Sequence, residues 1–416
     1  MSKKDERRAE VLGRLDCGVV SKWEAEVLLG VSRRQVDRLL VSYRANGIRS
    51  VPHGNRGRVP VNVLDPQLKE TILALVTKDG RYHGFNVCHV CDLLAEQDGI
   101  SIGRSTLDRL MRQQNIIRSG SGSNAPRRKR RERSKAEGSM LQIDGSSHDW
   151  LEGRGSRMAL VGAVDDGTGK MIYAAFRPTE DLVGYLMMLR EICVTHGLPE
   201  SLYHDRHTIL RSPKRATIQD ELDGSEPMSQ FQKLLDELGI NSIPAGSPQA
   251  KGRIERVWGV LQDRLVKEMR LAGISTIEEA NAFVPGFIRR YNRRFAVKAA
   301  DPATAWVKML AKTDLAYYFS KRESRVVRAD HTISWYGATL QILPTSRDRS
   351  LAGHPVSVRV TPEDEVFIYD GKRKLSYKAI PSVVKTALTK PKAIAKTPDR
   401  MLLAKRRAWL FAEPAA

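Results

Sequence analysis

Long apolar runs are missing from this chain of 416 residues. No stretch comes near the roughly 18 uncharged residues that a membrane span requires. The opening MSKKDERRAE runs straight into charged helix former, without the apolar centre of a secretory signal. The expectation is a cytoplasmic protein with no membrane partner. Cysteine is scarce as well. Cys17, Cys88, Cys91 and Cys193 are the only four, which fits buried reduced thiols better than a disulfide framework. Acidic residues are in deficit: 69 Lys and Arg stand against 48 Asp and Glu, a formal charge of +21. Such a balance calls for a polyanionic partner. Nucleic acid and an acidic membrane surface both qualify, so the distribution of charge has to choose. With 41% hydrophobic residues the chain can build real cores, which excludes a wholly disordered protein, and its length implies two to four domains.

What is present begins with punctuated helices. Ser21 with Glu24 reads as a capping box, the helix WEAEVLL stops at Gly30, and Ser32 with Gln35 reads as a second box before RRQVDRLLVSYRAN, which stops at Gly47. Two capped helices joined by a tight Gly30-Val31 turn have the layout of a helix-turn-helix over residues 1–50. Arg33, Arg34, Gln35 and Arg38 are then placed to meet DNA, while Val36, Leu39 and Leu40 face inward. A basic αα-hairpin with a solvated face is the plainer alternative. A second, helix-turn-helix-like module is expected over 62–117, opened by Asp65-Pro66 as cap and first helical residue, with a last helix capped by Ser105 and Asp108. Inside it, Cys88-His-Val-Cys91 with His83 and His89 invites a zinc reading. Against that, Val87, Val90, Cys91 and Leu94 form an apolar stripe, and no second ligand pair follows at zinc-finger spacing. Residues 118–137 are first Gly/Ser-rich and then densely basic, a linker in which Arg127, Arg128, Lys129, Arg130 and Arg131 suit DNA phosphates.

Beyond the linker the period changes from helix to strand. SMLQIDG is a strand ending in an acid, and MALVGAVDDGTGKMIYAAF is a hairpin turned at Asp166-Gly167 and Gly169. The helix DLVGYLMMLREICVTHG, the strand SLYHDRH, a helix over QFQKLLDELG, the strand INSIPAG and a long helix from Ser247-Pro248 follow. Alternation of this kind indicates an α/β sheet with packed helices. Three acids stand out: Asp144 and Asp205 at strand ends, and Glu255 beside the stripe Ile254, Val257, Trp258, Leu261 and Leu265 of the long helix. Carboxylates converging from strand ends and a helix are what a pair of Mg²⁺ ions requires. Asp165 and Asp166 read as turn residues. Asp149 and Glu152 could assist from a polar loop, His204 and His207 flank Asp205, and Lys251, Arg253 and Arg256 could clamp DNA beside the metal.

The stretches QIDGSSHDWLEGRG, LYHDRH and above all IPAGSPQAKGRIERVWGVLQDRLVKE resemble the integrase-type catalytic core of bacterial insertion-sequence DDE transposases, most of all those of the ISNCY group. The order of parts is similar too, so the resemblance covers nearly the whole chain. It implies an RNase H-like core over 138–310 and a catalytic, metal-binding triad at Asp144, Asp205 and Glu255. Mg²⁺, with Mn²⁺ as substitute, would be held as two ions per active site. Two departures matter. Asp205 and Glu255 are 50 positions apart, farther than in retroviral integrases, with a polar insertion at 211–229 to absorb the excess, and the retroviral type of N-terminal His/Cys zinc domain is absent. From 324 to 381 five short strands predict a small β-barrel, which the resemblance makes SH3-like and DNA-binding, and 382–416 reads as a basic flexible tail.

The expected protein is multidomain: all-α helix-turn-helix modules, a central α/β RNase H-like core and a C-terminal barrel. The resemblance implies a polynucleotidyl transferase that binds terminal inverted repeats and target DNA, works as a homo-oligomer of at least two copies on paired ends, and acts at the bacterial nucleoid. The alternative is a catalytically inactive helix-turn-helix regulator derived from a transposase.

Overall fold

The computed structural model describes residues 2–52, 55, 63–116, 132–205, 207–212, 227–246, 252–343 and 350–380. The chain divides into two compact units, Met1–Gly80 and Arg81–Ala416. In the first, α1 (Lys3–Asp16), α2 (Lys22–Leu29) and α3 (Arg33–Asn46) bury Leu12, Ala25, Val36 and Leu40 against one another, with Leu39 half-buried beside them. The box at Ser21 forms: its hydroxyl accepts from the Glu24 amide at 3.2 Å, and the Glu24 carboxylate accepts from the Ser21 amide at 2.7 Å. Gly30 then ends α2 in the left-handed region at φ 63°. The box expected at Ser32 does not form. Ser32 has the extended backbone of an N-cap, but its side chain makes no capping bond, so the Gly30 turn alone sets the start of α3. Helix α4 (Pro66–Val76) begins as expected, with Asp65 accepting from the Gln67 amide at 2.7 Å and Pro66 in the first turn.

In the second unit, α5 (Val87–Gln97) and α6 (Arg104–Gln113) come first. Helix α6 starts one residue before the Ser105 cap predicted for it, with Gly103 as N-cap and no side-chain bond. The central sheet contains β1 (Leu141–His148), β2 (Met158–Asp165), β3 (Met171–Arg177), β4 (Ser201–His204) and β5 (Asn241–Pro244) in the order β3-β2-β1-β4-β5. The first three are antiparallel neighbours, and β4 and β5 run parallel to β1. This mixed α/β sheet fits the RNase H-like core that the motifs imply. Residue parity in the strands divides the hydrophobic side chains between two faces. Leu141, Ile143, Val161 and Ala163 pack under α7 (Leu182–Thr195) and α8 (Gln230–Leu238). Leu160 and Val164 pack under α9 (Gly252–Leu271) and α10 (Ile277–Phe295).

After α10 the chain returns to the core as a strap. Bridges join Glu137 to Thr304 and Leu198 to Val307. Trp306 lies so close on Gly138 that a Cβ there would come within 2.8 Å of the indole. Helix α11 (Leu315–Tyr318) leads, among the described residues, to seven strands rather than five: β6 (Lys321–Val326), β7 (Thr332–Trp335), β8 (Ala338–Ile342), β9 (Pro355–Val360), β10 (Val366–Asp370), β11 (Arg373–Leu375) and β12 (Tyr377–Ile380). The stretch RVVRADHTISW breaks at a turn where His331 has φ 56°, and KLSYKAI breaks at Ser376. The strands form two sheets, β11-β10-β9-β6 and β12-β8-β7, around Ile333, Trp335, Leu340, Val358 and Ile368. All four cysteines are free, but only Cys193 is buried; burial pushes its thiol up to about 12. Cys17, at the exposed end of α1, departs from the expected burial because the helix stops there. No helix among the described residues is long and apolar enough to cross a membrane.

Candidate active site

The long helix α9 is fastened to β1 by a polar ladder. Gln142, Asp144 and Ser146 alternate on one face of β1, opposite the apolar Leu141 and Ile143. Gln142 Oε1 accepts from the Ile254 amide at 3.1 Å, Asp144 Oδ2 accepts from Trp258 Nε1 at 3.0 Å, and Gln262 Nε2 donates to Ser146 Oγ at 3.2 Å. Two strand residues span about 6.7 Å and four helix residues about 6 Å. The near match lets residues four apart on α9 meet residues two apart on β1, so the helix runs along the strand. Gly162, the β2 partner of Asp144, makes this possible. A Cβ at 162 would come within 2.8 Å of the Trp258 ring, so only glycine leaves room for the indole to reach the aspartate.

Asp166 anchors the first rung. It is fully buried and accepts from Gln142 Nε2 at 2.6 Å, from the Ser134 amide at 2.8 Å and from the Arg253 guanidinium. Its role goes beyond the turn chemistry read from Asp-Gly. Asp165 does serve the turn, accepting from the Thr168 amide and hydroxyl, each at 2.7 Å. Arg253, predicted to clamp DNA, is committed to Asp166, whereas Arg256 is exposed.

Asp205 follows β4 directly. The parallel register pairs Leu141 with Leu202 and Gln142 with Tyr203; carried on two residues, it sets Asp205 beside Asp144. Its carboxylate accepts from the His207 amide at 3.0 Å. His204 is buried, its ring bonded to the Asp205 carbonyl at 2.6 Å and to Ser242 Oγ at 2.8 Å, so it braces the end of β4. The stripe predicted for α9 is buried throughout. Glu255, read from the sequence as lying beside that stripe, is exposed, one turn before Trp258. The structure thus sets Asp144 and Asp205 on adjoining strands and Glu255 on the neighbouring helix. Among the described residues, no three His, Cys, Asp or Glu side chains stand close enough together to hold one metal ion. The donor chemistry nevertheless fits a hard divalent cation, since all three candidates offer carboxylate oxygen and none offers sulfur.

Asp149 and Glu152 turn away from this centre. Asp149 accepts from the Gly153 amide, and Glu152 pairs with Arg154 and Arg270. Lys251 and Arg127 to Arg131 lie outside the described residues, as do the Ser247-Pro248 start of the long helix and most of the 211–229 insertion. An acid the sequence reading passed over approaches from the opposite face. The Glu180 carboxylate lies over Gly145, within 2.4 Å of where a Cβ would stand, and accepts from the Tyr185 hydroxyl at 2.6 Å. Burial, then Glu180, then Asp144 and Asp205 drive the Tyr185 hydroxyl far above its ordinary value. The polar alternation of β1 was the available signal for the ladder; nothing in the local pattern marked Glu180.

Asp144, read from the sequence as closing its strand, stands in the middle of β1, which runs on to His148, while Asp205 directly follows β4. Carboxylates on and just past adjoining strands of a mixed sheet, with a third on the helix alongside, make the arrangement of a polynucleotidyl transferase core. The relatives agree. The chain is 34% identical over 385 residues to a Sinorhizobium fredii protein described as a transposase, y4bF, covering 91% of this chain and 81% of that one. It is 30% identical over 313 residues to the transposase for insertion sequence IS1202 of Streptococcus pneumoniae, covering 68% and 66%. It belongs to the transposases of bacterial insertion sequences. No protein-family model matches. Among solved structures, an intasome of simian T-cell lymphotropic virus in complex with a PP2A regulatory subunit aligns at 14% identity and a TM-score of 0.32, covering 70% of this chain and 95% of that one.

Proposed function

We propose that this transposase binds the terminal inverted repeats of its own insertion sequence and catalyses Mg²⁺-dependent strand cleavage and strand transfer at Asp144, Asp205 and Glu255. The observation that carries the reading is the β1–α9 ladder, which lays the helix bearing Glu255 along the strand bearing Asp144, with Asp205 next in register. Magnesium, when bound, supplies Lewis-acid activation of the attacking oxygen and neutralises charge at the phosphate. The chain's own part is positioning. Trp258 fixes one oxygen of Asp144, the His207 amide fixes one of Asp205, and exposed Glu255 is left to complete the set. Water attacks a phosphodiester at the element's end and leaves a 3′-hydroxyl; that hydroxyl then attacks a target phosphodiester and displaces its 3′-oxygen. No covalent enzyme intermediate is needed.

Recognition falls to α1–α3 as a helix-turn-helix. Arg33, Arg34 and Arg38 are exposed on α3, and Gln35 is half-buried beside them. The two-sheet C-terminal domain serves as an SH3-like DNA-binding barrel, and at least two copies pair the ends. Arg127 to Arg131, Lys251 and Arg256 contribute phosphate contacts. A non-catalytic regulator would have no use for the ladder. Glu255→Gln is the test: Mg²⁺-dependent nicking and joining of end-repeat DNA should fall by about a hundredfold or more while binding of the repeat is unchanged. Strand transfer at the wild-type rate in this variant overturns the assignment.

A further inference from the structure

The Cys88-His-Val-Cys91 motif has no part in the chemistry proposed above. It opens α5, with Asn86 as N-cap and Cys88 in the first turn. Both cysteines are free and half-buried, whereas Cys193 is buried and Cys17 belongs to the other compact unit. Three positions apart on a helix, their Cα atoms stand about 5 Å from one another, inside the range that a disulfide spans. Their Cβ atoms stand about 5–6 Å apart, where a disulfide needs about 3.5–4.5 Å. The bond can close, but only by tightening the first turn of α5.

That turn seats α5 on the catalytic core. The Asn86 side chain accepts from the His89 amide at 2.9 Å, and its own amide group bonds Asp263 of α9. His89, between the two cysteines, is 1% exposed, with Nε2 donating to Glu268 of α9 at 3.0 Å. Glu268 also takes the guanidinium of Arg290 on α10. One residue past Cys91, Asp92 bonds Arg264 at 2.8 Å and meets Arg294 at 3.4 Å. Buried charge networks add little net stability, but breaking one member is costly, so they fix a single arrangement. A change of pitch between residues 88 and 91 draws His89 and Asp92 off these partners together.

We propose that Cys88 and Cys91 are a modification site for peroxides, closing to a disulfide that unseats α5 from α9 and α10. Burial first, then Cys88 and Asp92, push the Cys91 thiol up against the pull of Arg104 and Arg294, so Cys88 reacts first and Cys91 second. The Cys88 sulfur attacks one oxygen of hydrogen peroxide, the O–O bond breaks, and the departing hydroxide takes the thiol proton and leaves as water. The Cys91 sulfur then attacks the sulfenic sulfur, the S–O bond breaks, and a second water leaves with the remaining proton. Two thiols are oxidised to one disulfide while one peroxide is reduced to two waters.

The site itself does not depend on the transposase reading; its effect on DNA cutting does. The full chain, reduced and then treated with hydrogen peroxide, should yield a peptide bridged between Cys88 and Cys91 and lighter by two hydrogens. Amide exchange in α5 should then quicken by about a hundredfold, as for a lost partner in a buried ion pair, and dithiothreitol should reverse both changes. Cys17→Ser with Cys193→Ser should behave as wild type. Cys88→Ser and Cys91→Ser, each alone, should form no bridge and keep α5 protected in peroxide. Intermolecular disulfides, or sulfinic acid at both positions in place of the bridge, overturn the pairing. A bridge that leaves α5 protection unchanged overturns the unseating. Mg²⁺-dependent cutting of end-repeat DNA should fall on oxidation of the wild type and not of Cys88→Ser. If the reduced protein does not cut at all, the catalytic reading fails, and the mass and exchange measurements still decide the site.

Discussion

Two small helical modules in this chain look alike in sequence and are held together differently. In α1–α3, stability comes from apolar residues of the module itself, Leu12, Ala25, Val36 and Leu40. In α5–α6, Leu93, Leu94, Leu107 and Leu110 are buried, but α5 also stakes His89 and Asp92 on arginines and a glutamate of the core. The first arrangement favours a module that can fold on its own. The second favours a part whose position matters more than its autonomy.

The sharpest break in this comparison is a pair of truncations followed by hydrogen exchange. Glu268→Ala strands Arg290 and His89 and should cost about 3–5 kcal/mol, read as lost amide protection in α5, with α1–α3 unaffected. Leu12→Ala should cost about 2–5 kcal/mol and deprotect α1–α3 alone. Equal loss in both modules from either change would erase the distinction. Acid offers a smaller effect in the same direction. Burial pushes the Glu268 carboxyl up, but the hydrogen bonds from His89 and Arg290 outweigh it and hold it below the usual range. A depressed carboxyl contributes stability that is present above the ordinary value of about 4.3 and lost as pH falls below it. Protection of α5 should therefore fade below that pH before the apolar packing around Leu12 does; protection of α5 that persists to pH 3 would count against the ionic seat. Smallest of all, and within one module, Ser21→Ala should cost about 1 kcal/mol and Ser32→Ala close to nothing. Equal melting shifts would mean that Ser32 does cap α3 in solution.

Much of the core was legible because burial imposes a period. The stripe on α9 follows from helix geometry, and the structure buries the residues it names. The relation of Asp144 to Asp205 needed the β1–β4 register, which parallel pairing sets through contacts distant in sequence. Asp166 was read as a turn residue because Asp-Gly satisfies a local rule, whereas its partners Ser134, Gln142 and Arg253 come from three other segments. Glu180 escaped notice for a similar reason: its place over Gly145 depends on the absence of a side chain some thirty-five positions earlier. The capping box at Ser32 failed in the other direction, a local signal that the Gly30 turn made unnecessary.

The strap at Thr304 to Val307 has a consequence in time. It ties the end of the core to Glu137 and Leu198, so the core cannot close until the ribosome has passed that point, whereas α1–α3 are complete once residue 50 has emerged. At about 5–20 residues per second, the interval is roughly 13 to 50 seconds. During it, a nascent chain presents folded helices with exposed arginines before the sheet that holds Asp144 and Asp205 has been tied off.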